Sequence, residues 1–510
     1  MNKWIIVVMA SLAAGMEIMD ASAVNIAFHQ MQGGLSAGVD EVAWVLIAYL
    51  VANAVMIPMT GWLATFFGRK RFFIFSTVLF GACSALAGMA PTLLVMIILR
   101  VFQGIGGGGL TATGQAIVME SFPPAQRGIA VALWSAGSVA GSIFGPIVGG
   151  QIADHFSWRW VFYPNVPIAV IVAILAILFL SDPPYLKRQV EKIDAWGFLY
   201  LIVWVGCLQV ILGRGQRLDW FGSNLITGLT IIAIPAFMAF VIRELLVKEP
   251  IVDLSVFKNR TFTIGTIMMA IQMFAFYGSI VLIALFAQTI MGYTAYQAGL
   301  VIASGAIMSV ISMPLAGRLL SVVDYRILIG TGALVSGSGM LLASHLNLEA
   351  SFLQVTLPRV LLGMGLAWVW VSVNTISLAA VSKENMGQAS SVLNLFRVLG
   401  GSFGIAVLTT ILSRGAQAHQ NRLVAHVTRF DLDVQGRLAT LASVFQTAGS
   451  DPFTAKKQAL AKLYAEIKRQ ASMLSFLGDF RLVAILLFAI IPLLLIMKRT
   501  KVEEDSGGDL

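Results

Sequence analysis

Along this chain apolar residues form long blocks, and polar residues gather in the gaps between them. The blocks fall at roughly 4–28, 42–66, 72–90, 93–119, 128–152, 160–180, 194–213, 223–242, 262–288, 296–317, 327–345, 352–380, 388–412 and 480–497. A helix of about 20 apolar residues crosses a hydrocarbon core of about 30 Å, and within lipid a helix satisfies its own backbone. The pattern therefore predicts an all-α integral membrane protein with fourteen transmembrane helices. The first block is read as a span rather than a removable leader. It is too long, lacks a small-residue cleavage site and carries Glu17 and Asp20.

Composition removes the rival classes. Of 510 residues, 58% are hydrophobic and 12% charged, against about 25% charged in soluble domains. The net charge of +9 is a topology signal and implies no nucleic acid. With the N-terminus inside, the short loops and tails on that side hold eighteen Lys and Arg, among them Lys3, Arg71, Arg127 and Arg318. The short loops opposite hold three, Arg159, Arg214 and Arg217. The positive-inside rule then places both termini in the cytoplasm. Cys83 and Cys207 lie in apolar blocks, so no disulfide framework is expected. The five histidines show no metal-ligand spacing.

One connection is long. Residues 413–479 are polar and fall outside the cytoplasm in this orientation. Asp451-Pro452 reads as a helix N-cap followed by proline at the first helical position. Leu460, Leu463 and Ile467 then recur at helical spacing. The expectation is an external amphipathic helix, one arm of a hairpin with residues 416–445. It would either cap the chain itself or dock a partner.

The chain also repeats itself. Pro58-Met-Thr-Gly61-Trp-Leu63 returns as Pro314-Leu-Ala-Gly317-Arg-Leu319, at a shift of 256 residues. Arg100-Val101-Phe-Gln-Gly104 returns as Arg359-Val360-Leu-Leu-Gly363, and Gly141-Ser-Ile-Phe144-Gly145 as Gly400-Gly-Ser-Phe403-Gly404, both at 259. Three matches in order predict two six-span bundles, 1–185 and 251–510, the second including the external loop 413–479. The pair of spans within 186–250 has no counterpart and reads as an inserted transmembrane hairpin.

A parallel repeat of this kind is the architecture of major facilitator transporters, and the chain resembles that superfamily over nearly its whole length. Gly61-Trp-Leu63-Ala64-Thr-Phe-Phe-Gly68-Arg69-Lys70 is similar to the family signature between the second and third spans. The resemblance places Gly61, Gly68, Arg69 and Lys70 at a cytoplasmic gate, with Thr65 standing where the family usually has an acid. Gly137, Gly141, Gly145 and Gly149 recur every four residues, with Pro146 inside and Gly150 following. Such a face permits close helix contact, and the stretch is similar to the antiporter motif found chiefly in the family's exporters.

Charges inside a membrane are costly and mark functional sites. Glu17 and Asp20 lie three residues apart, close to one helix face. Burial favours a neutral carboxyl and a nearby cation opposes this. Leu99-Arg100-Val-Phe-Gln103-Gly104 resembles the arginine motif of the fourth span, implicated in proton coupling. Asp20-Ala-Ser22-Ala-Val24-Asn25-Ile-Ala27 resembles the first-span motif of fourteen-span exporters. The resemblance implies Asp20 as the main proton carrier, Glu17 as the second choice and Arg100 as their cation. Asn25, Asn53, Gln103, Gln115, Trp134, Gln272, Tyr277, Trp370, Asn374 and Asn394 offer a substrate lining, with helix packing the alternative for each. Arg359 and Arg397 would balance charge or attract anionic substrates, with a relic of the repeat near the interface the alternative for Arg359.

Further local similarities include Trp158-Arg-Trp160-x-Phe162-x-x-Asn165-Val166-Pro167 and Pro250-Ile-Val252-Asp253-Leu254. With fourteen spans they point to the drug/proton antiporter branch and to EmrB-like multidrug exporters. That resemblance implies efflux of small hydrophobic or amphiphilic compounds across a bacterial inner membrane, driven by the proton gradient without a cofactor. It also implies a tripartite pump with a periplasmic adaptor and an outer-membrane channel. A nutrient importer on the same fold is the first rival reading. A membrane-embedded enzyme or sensor is the second, though the sequence shows no nucleophile–base pair or phosphate loop to support it.

Overall fold

A computed structural model describes residues 3–182, 194–247, 250–382, 385–428 and 430–497. These residues fold into α1 (Lys3–Gly34), α2 (Val39–Phe67), α3 (Arg69–Gly88), α4 (Leu93–Ser121), α5 (Pro124–His155), α6 (Asn165–Phe179), α7 (Ala195–Arg214) and α8 (Asn224–Leu246). There follow α9 (Arg260–Leu285), α10 (Ala295–Leu319), α11 (Tyr325–Ala343), α12 (Phe352–Ala379), α13 (Met386–Ala425), α14 (Leu432–Thr447), α15 (Pro452–Phe488) and α16 (Ile490–Ile496). Fourteen stretches are long and apolar enough to cross a membrane, and no strand occurs among the described residues. Polar side chains define many of the helix starts. Thr294 with Gln297 and Ser351 with Gln354 form capping boxes that satisfy otherwise orphaned backbone donors.

Helices α1 to α6 pack as one bundle, and α9 to α13 with α15 as a second. The hairpin α7–α8 lies against α2 and α13, one helix from each bundle. Trp204 of α7 packs on Phe237 and Phe240 of α8, with ring centroids 5.1 and 6.0 Å apart. Gln209 accepts from Ser402 Oγ at 2.9 Å, and the Trp220 indole donates to Thr410 Oγ1 at 3.1 Å. Arg214 stacks over Trp44 of α2 at 4.9 Å. The hairpin is therefore fastened to both bundles. The junctions at 185–186 and 250–251 fall on or beside stretches outside the described residues, as do Lys187, Arg188, Lys192, Lys248 and Lys383.

Two bundles can meet closely only where side chains are small. A Cβ on Gly61 would come within 2.9 Å of the Gln388 backbone, and one on Gly128 within 2.9 Å of the Gly317 carbonyl. Thr60 and Ser391 hydroxyls bond at 2.7 Å, and the Trp370 indole donates to Ser135 Oγ at 2.7 Å. All four contacts lie in the halves of their helices nearest the start of α1. The bundles are joined at that end.

The long connection is more helical than the sequence pattern predicts. α13 runs for 40 residues and α15 for 37, about 60 and 55 Å at 1.5 Å per residue, roughly twice a hydrocarbon core. Each continues its membrane segment beyond the bundle, and α14 packs on α15. Arg437 pairs with Glu466 at 3.4 Å, and Gln420 donates to the Tyr464 hydroxyl at 3.1 Å. The single external helix expected is thus the first half of α15, and the 416–445 arm divides between α13 and α14. The last span also begins earlier than 480, because α15 passes without a break from solvated residues into buried ones.

Candidate functional site

Asp20 lies on the buried face of α1, 1% exposed. One carboxylate oxygen accepts from Arg100 Nη1 at 2.6 Å, the other from Gln103 Nε2 at 3.0 Å and Asn165 Nδ2 at 2.7 Å. Arg100 also donates to the Val45 carbonyl at 3.2 Å and lies 4.1 Å above the Tyr49 ring. Asn165, at the start of α6, donates in addition to Ser84 Oγ at 2.9 Å. A buried ion pair offsets its desolvation only when further hydrogen bonds satisfy its remaining positions, and here neutral amides from two helices do so. Gln103 thus belongs to the Asp20 cluster and not to a cavity lining, because its amide is fully buried between Asp20 and Arg100.

One turn earlier on α1, Glu17 meets neutral groups. Asn53 Nδ2 donates to one oxygen at 2.8 Å, and the Thr111 hydroxyl donates to the other. Gly107 makes this convergence possible: a Cβ there would lie 2.9 Å from the Tyr49 hydroxyl and 3.1 Å from Asn53 Nδ2. The cation whose field reaches Glu17 is Arg397, from the other bundle. Arg397 in turn lies 5.9 Å from the Trp370 ring. Tyr277 of α9, 36% exposed, sets its ring against Gly401 of α13, where a Cβ would come within 2.5 Å of it.

Four residues expected to line a substrate cavity instead join the bundles. Gln115 of α4 donates to Asn374 of α12 and accepts from Asn394 of α13. Trp370 bonds across the same seam through Ser135. The Asn374 amide also donates to the Trp370 carbonyl at 2.9 Å, and Ser390 Oγ to the Ala112 carbonyl at 2.8 Å. Amides at an apolar seam bond one another because no water competes. Trp134 is 1% exposed within an apolar cluster of α1, α4 and α5, so packing accounts for it. Gln272 donates to the Leu366 carbonyl at 2.6 Å inside the second bundle. Asn25 is exposed and donates to the Ala21 carbonyl of its own helix at 3.1 Å.

At the α1 end, Gly68 has φ +89° and turns α2 directly into α3. Arg69 pairs with Glu120 at the end of α4, a carboxylate the sequence pattern did not single out. Glu120 is thus the acid beside Arg69, while Thr65, at the family's acidic position, donates to the Gly61 carbonyl at 2.9 Å. Lys70 donates its backbone N–H to Asp182 at 2.8 Å and its ammonium to the Ile177 carbonyl at 2.6 Å. A cation at the last carbonyls of a helix is favoured by the helix dipole, and α6 ends there.

The glycine face of α5 packs on α1. Cβ atoms on Gly137, Gly145 and Gly149 would strike Ser11, Ser22 with Met19, and Ala23, while Gly141 meets the Gly15 backbone. Close approach of α1 and α5 therefore requires glycine at each site. Gly150 follows on the same helix, and the side chain of Pro146 lies outside the described residues.

The repeat is visible in the second bundle. At a shift of 259 residues, Arg100 corresponds to Arg359 and Asp20 to Ser279. Arg359 Nη1 donates to Ser279 Oγ at 2.9 Å. The arginine is retained and its acid is not, so the ion pair exists on one side of the pseudo-symmetry only.

Residues 10–405 match the Major Facilitator Superfamily model. The multidrug export protein EmrB of Escherichia coli (strain K12) is 35% identical over 450 residues, 87% of this chain and 86% of that one. The fatty acid resistance protein FarB of Neisseria gonorrhoeae is 32% identical over 487 residues, 96% of this chain and 94% of that one. Among solved structures, the human organic anion transporter MFSD10 (TETRAN) superposes with a TM-score of 0.61 at 13% identity, covering 96% of this chain and all of that one. The fold, the paired bundles and these similarities agree: the chain belongs to the Major Facilitator Superfamily and is a membrane transporter, not an enzyme.

Proposed function

We propose that this chain exports hydrophobic or amphiphilic toxic compounds from a bacterial cytoplasm by alternating access, driven by protons moving inward and needing no cofactor. The observation that carries the reading is the placement of two carboxylates beside a closed seam between the bundles. Asp20 is held by Arg100, whereas Glu17 has neutral donors on its own bundle and Arg397 of the second bundle as the cation whose field reaches it. Proton binding at either acid changes its attraction to an arginine, and a ligand shifts a two-state equilibrium only through such differential interactions. The excess of Lys and Arg in the loops on that side supports a cytoplasmic joined end and cytoplasmic termini, and in this reading the conformation described faces outward. The names of similar proteins, multidrug export and fatty acid resistance, support an apolar cargo.

The same reading places the chain in the inner membrane as the transporter subunit of a tripartite pump. The external ends of α13 and α15, with α14, would meet a periplasmic adaptor that leads to an outer-membrane channel. Phe430, Leu432 and Phe453 are exposed on this projection, Leu432 to 80%, and apolar residues grouped on a surface mark interaction sites.

The test is growth of a deletion strain on a panel of lipophilic acids, fatty acids, cationic dyes and antibiotics, with and without this chain. Expression is expected to lower cellular accumulation of at least one compound until the proton gradient is collapsed. Raised accumulation would instead establish import.

A further inference from the structure

We propose that Asp479 is a second proton-binding site, in the C-terminal bundle, gated by a π-helical turn at the end of α9. Asp479 lies on α15, on a buried stripe with Phe476, Phe480 and Val483, and has no exposed surface. Neither of its carboxylate oxygens has a hydrogen-bond partner. Among the described residues, the other buried acids of the bundles and the hairpin each have at least one donor. Asp20 has three donors and Glu17 two. Glu244 accepts from the Val252 N–H, and Asp194 pairs with Arg243. Asp479 stands apart from these.

Among the described residues, its surroundings supply no compensating charge. α15 packs against α9, α11, α13, α14 and α16. On α9 the titratable residue along the membrane segment is Tyr277, whose electrostatic partners are Arg397 and Glu17. On α11, Arg326 bonds to the Met497 carbonyl at the opposite end of the bundle. On α13, Arg397 lies over the Trp370 ring of α12, and Arg414 is exposed. On α14, Arg437 pairs with Glu466, and α16 carries no charge. On α15 itself, Arg481 is exposed, and Arg469 donates to the Ile290 carbonyl at 2.8 Å. Arg359, the buried cation on α12, is engaged with Ser279. An ionised carboxylate with no donor in such an interior is strongly disfavoured, so this packing accommodates the protonated acid.

A structural irregularity packs against the same stripe of α15. Residues Phe286–Ile290 form a π-helical turn, with the Met291 N–H donating to the Phe286 carbonyl at 3.1 Å. Gly292 follows at φ +72°. Such turns hold one residue more than an α-helix requires and recur at functional sites. The Phe286 ring lies 5.5 Å from Phe476 and 5.7 Å from Phe480, the aromatic residues flanking Asp479 on its stripe. Relaxing the turn to α-helix would rotate its last residues and the 291–294 link to α10 by about 100° against α9. That motion withdraws Phe286 and admits water. The proton then leaves the carboxyl as hydronium, and a solvated carboxylate remains.

The test needs no cargo, so it stands apart from the efflux reading. The full-length chain, carrying aspartate labelled with carbon-13 at the side-chain carboxyl, is placed in liposomes and its infrared spectrum followed through a pH titration. A protonated-aspartate C=O band is expected at neutral pH, absent in Asp479→Asn and lost as pH rises. Should Asp479→Asn fail to fold, Asp479→Glu keeps the acid but removes its label, and the same band disappears. Cross-linking Thr60→Cys to Ser391→Cys holds the bundles in the arrangement described here, and the band should then persist at least about one pH unit higher than in the reduced protein. Absence of the band at neutral pH overturns the site. A band that ignores the cross-link overturns the gate.

Discussion

Asp20 and Glu17 lie one helical turn apart yet meet opposite environments, and their variants should separate accordingly. Asp20→Asn leaves Arg100 buried without its counter-charge, a loss of about 3–5 kcal/mol in comparable buried pairs. It is expected to abolish gradient-driven export in vesicles and to lower thermal stability. Glu17→Gln keeps an oxygen to accept from Asn53 and turns an NH2 toward the Thr111 hydroxyl, which can accept it, so the variant should fold and exchange cargo at equilibrium but lose its response to the pH gradient. Full gradient-driven export by both variants would remove them from proton coupling. Gly141→Ala places a methyl group against the Gly15 backbone, and overpacking of this kind costs about 1–3 kcal/mol. A lower unfolding temperature checks it. The charged pair was legible in the sequence because Asp and Arg stand out in apolar spans. Its neutral partners were not: Asn165 follows an aromatic turn, and Gln103 carries the same chemistry whether it binds cargo or a carboxylate. Glu120 was hidden for another reason, lying at a helix end where charge is ordinary.

Among the elements, the spans were readable because a bilayer requires apolar helices of fixed length. The helical projection of α13 and α15 obeys no such rule, and its polar sequence gave only the Asp451-Pro452 start and a short apolar period. Asp479 was misplaced for this reason, since the polar stretch before it shifted the expected span to residue 480. The Thr454 hydroxyl, together with the N–H groups of Thr454 and Phe453 that donate to Asp451 at 3.1 and 3.0 Å, holds the Asp451 carboxyl below the usual aspartate range. A lowered value means the cap stabilises the helix start above about pH 4, the unfolded aspartate value, and fails as pH falls through the folded one. Asp451→Ala should therefore speed amide exchange over the first turn of α15 at neutral pH and change little in stronger acid. Equal exchange rates at neutral pH would show that the cap is dispensable.

For the whole molecule, transport by alternating access requires the seam at the α1 end to part. The Thr60–Ser391 contact crosses it directly. A disulfide between Thr60→Cys and Ser391→Cys is expected to stop transport by at least about tenfold, reversibly on reduction. Undiminished transport by the cross-linked protein would show that this seam stays shut throughout the cycle. The repeat that divides the chain was visible in three short matches, whereas the latch of Gln115, Asn374 and Asn394 was not, because contacts between halves depend on how two repeats are set against each other.

The α7–α8 hairpin gives that opening a direction. A pair of bundles has two lateral edges, and the hairpin is bonded to both α2 and α13 along one of them. Bodies tethered along one edge part as a book opens from its spine, widest at the opposite edge, here formed by α5 and α10. In the plane of the membrane the transporter then has a front and a back, and a compound dissolved in the lipid would find its doorway on one side alone.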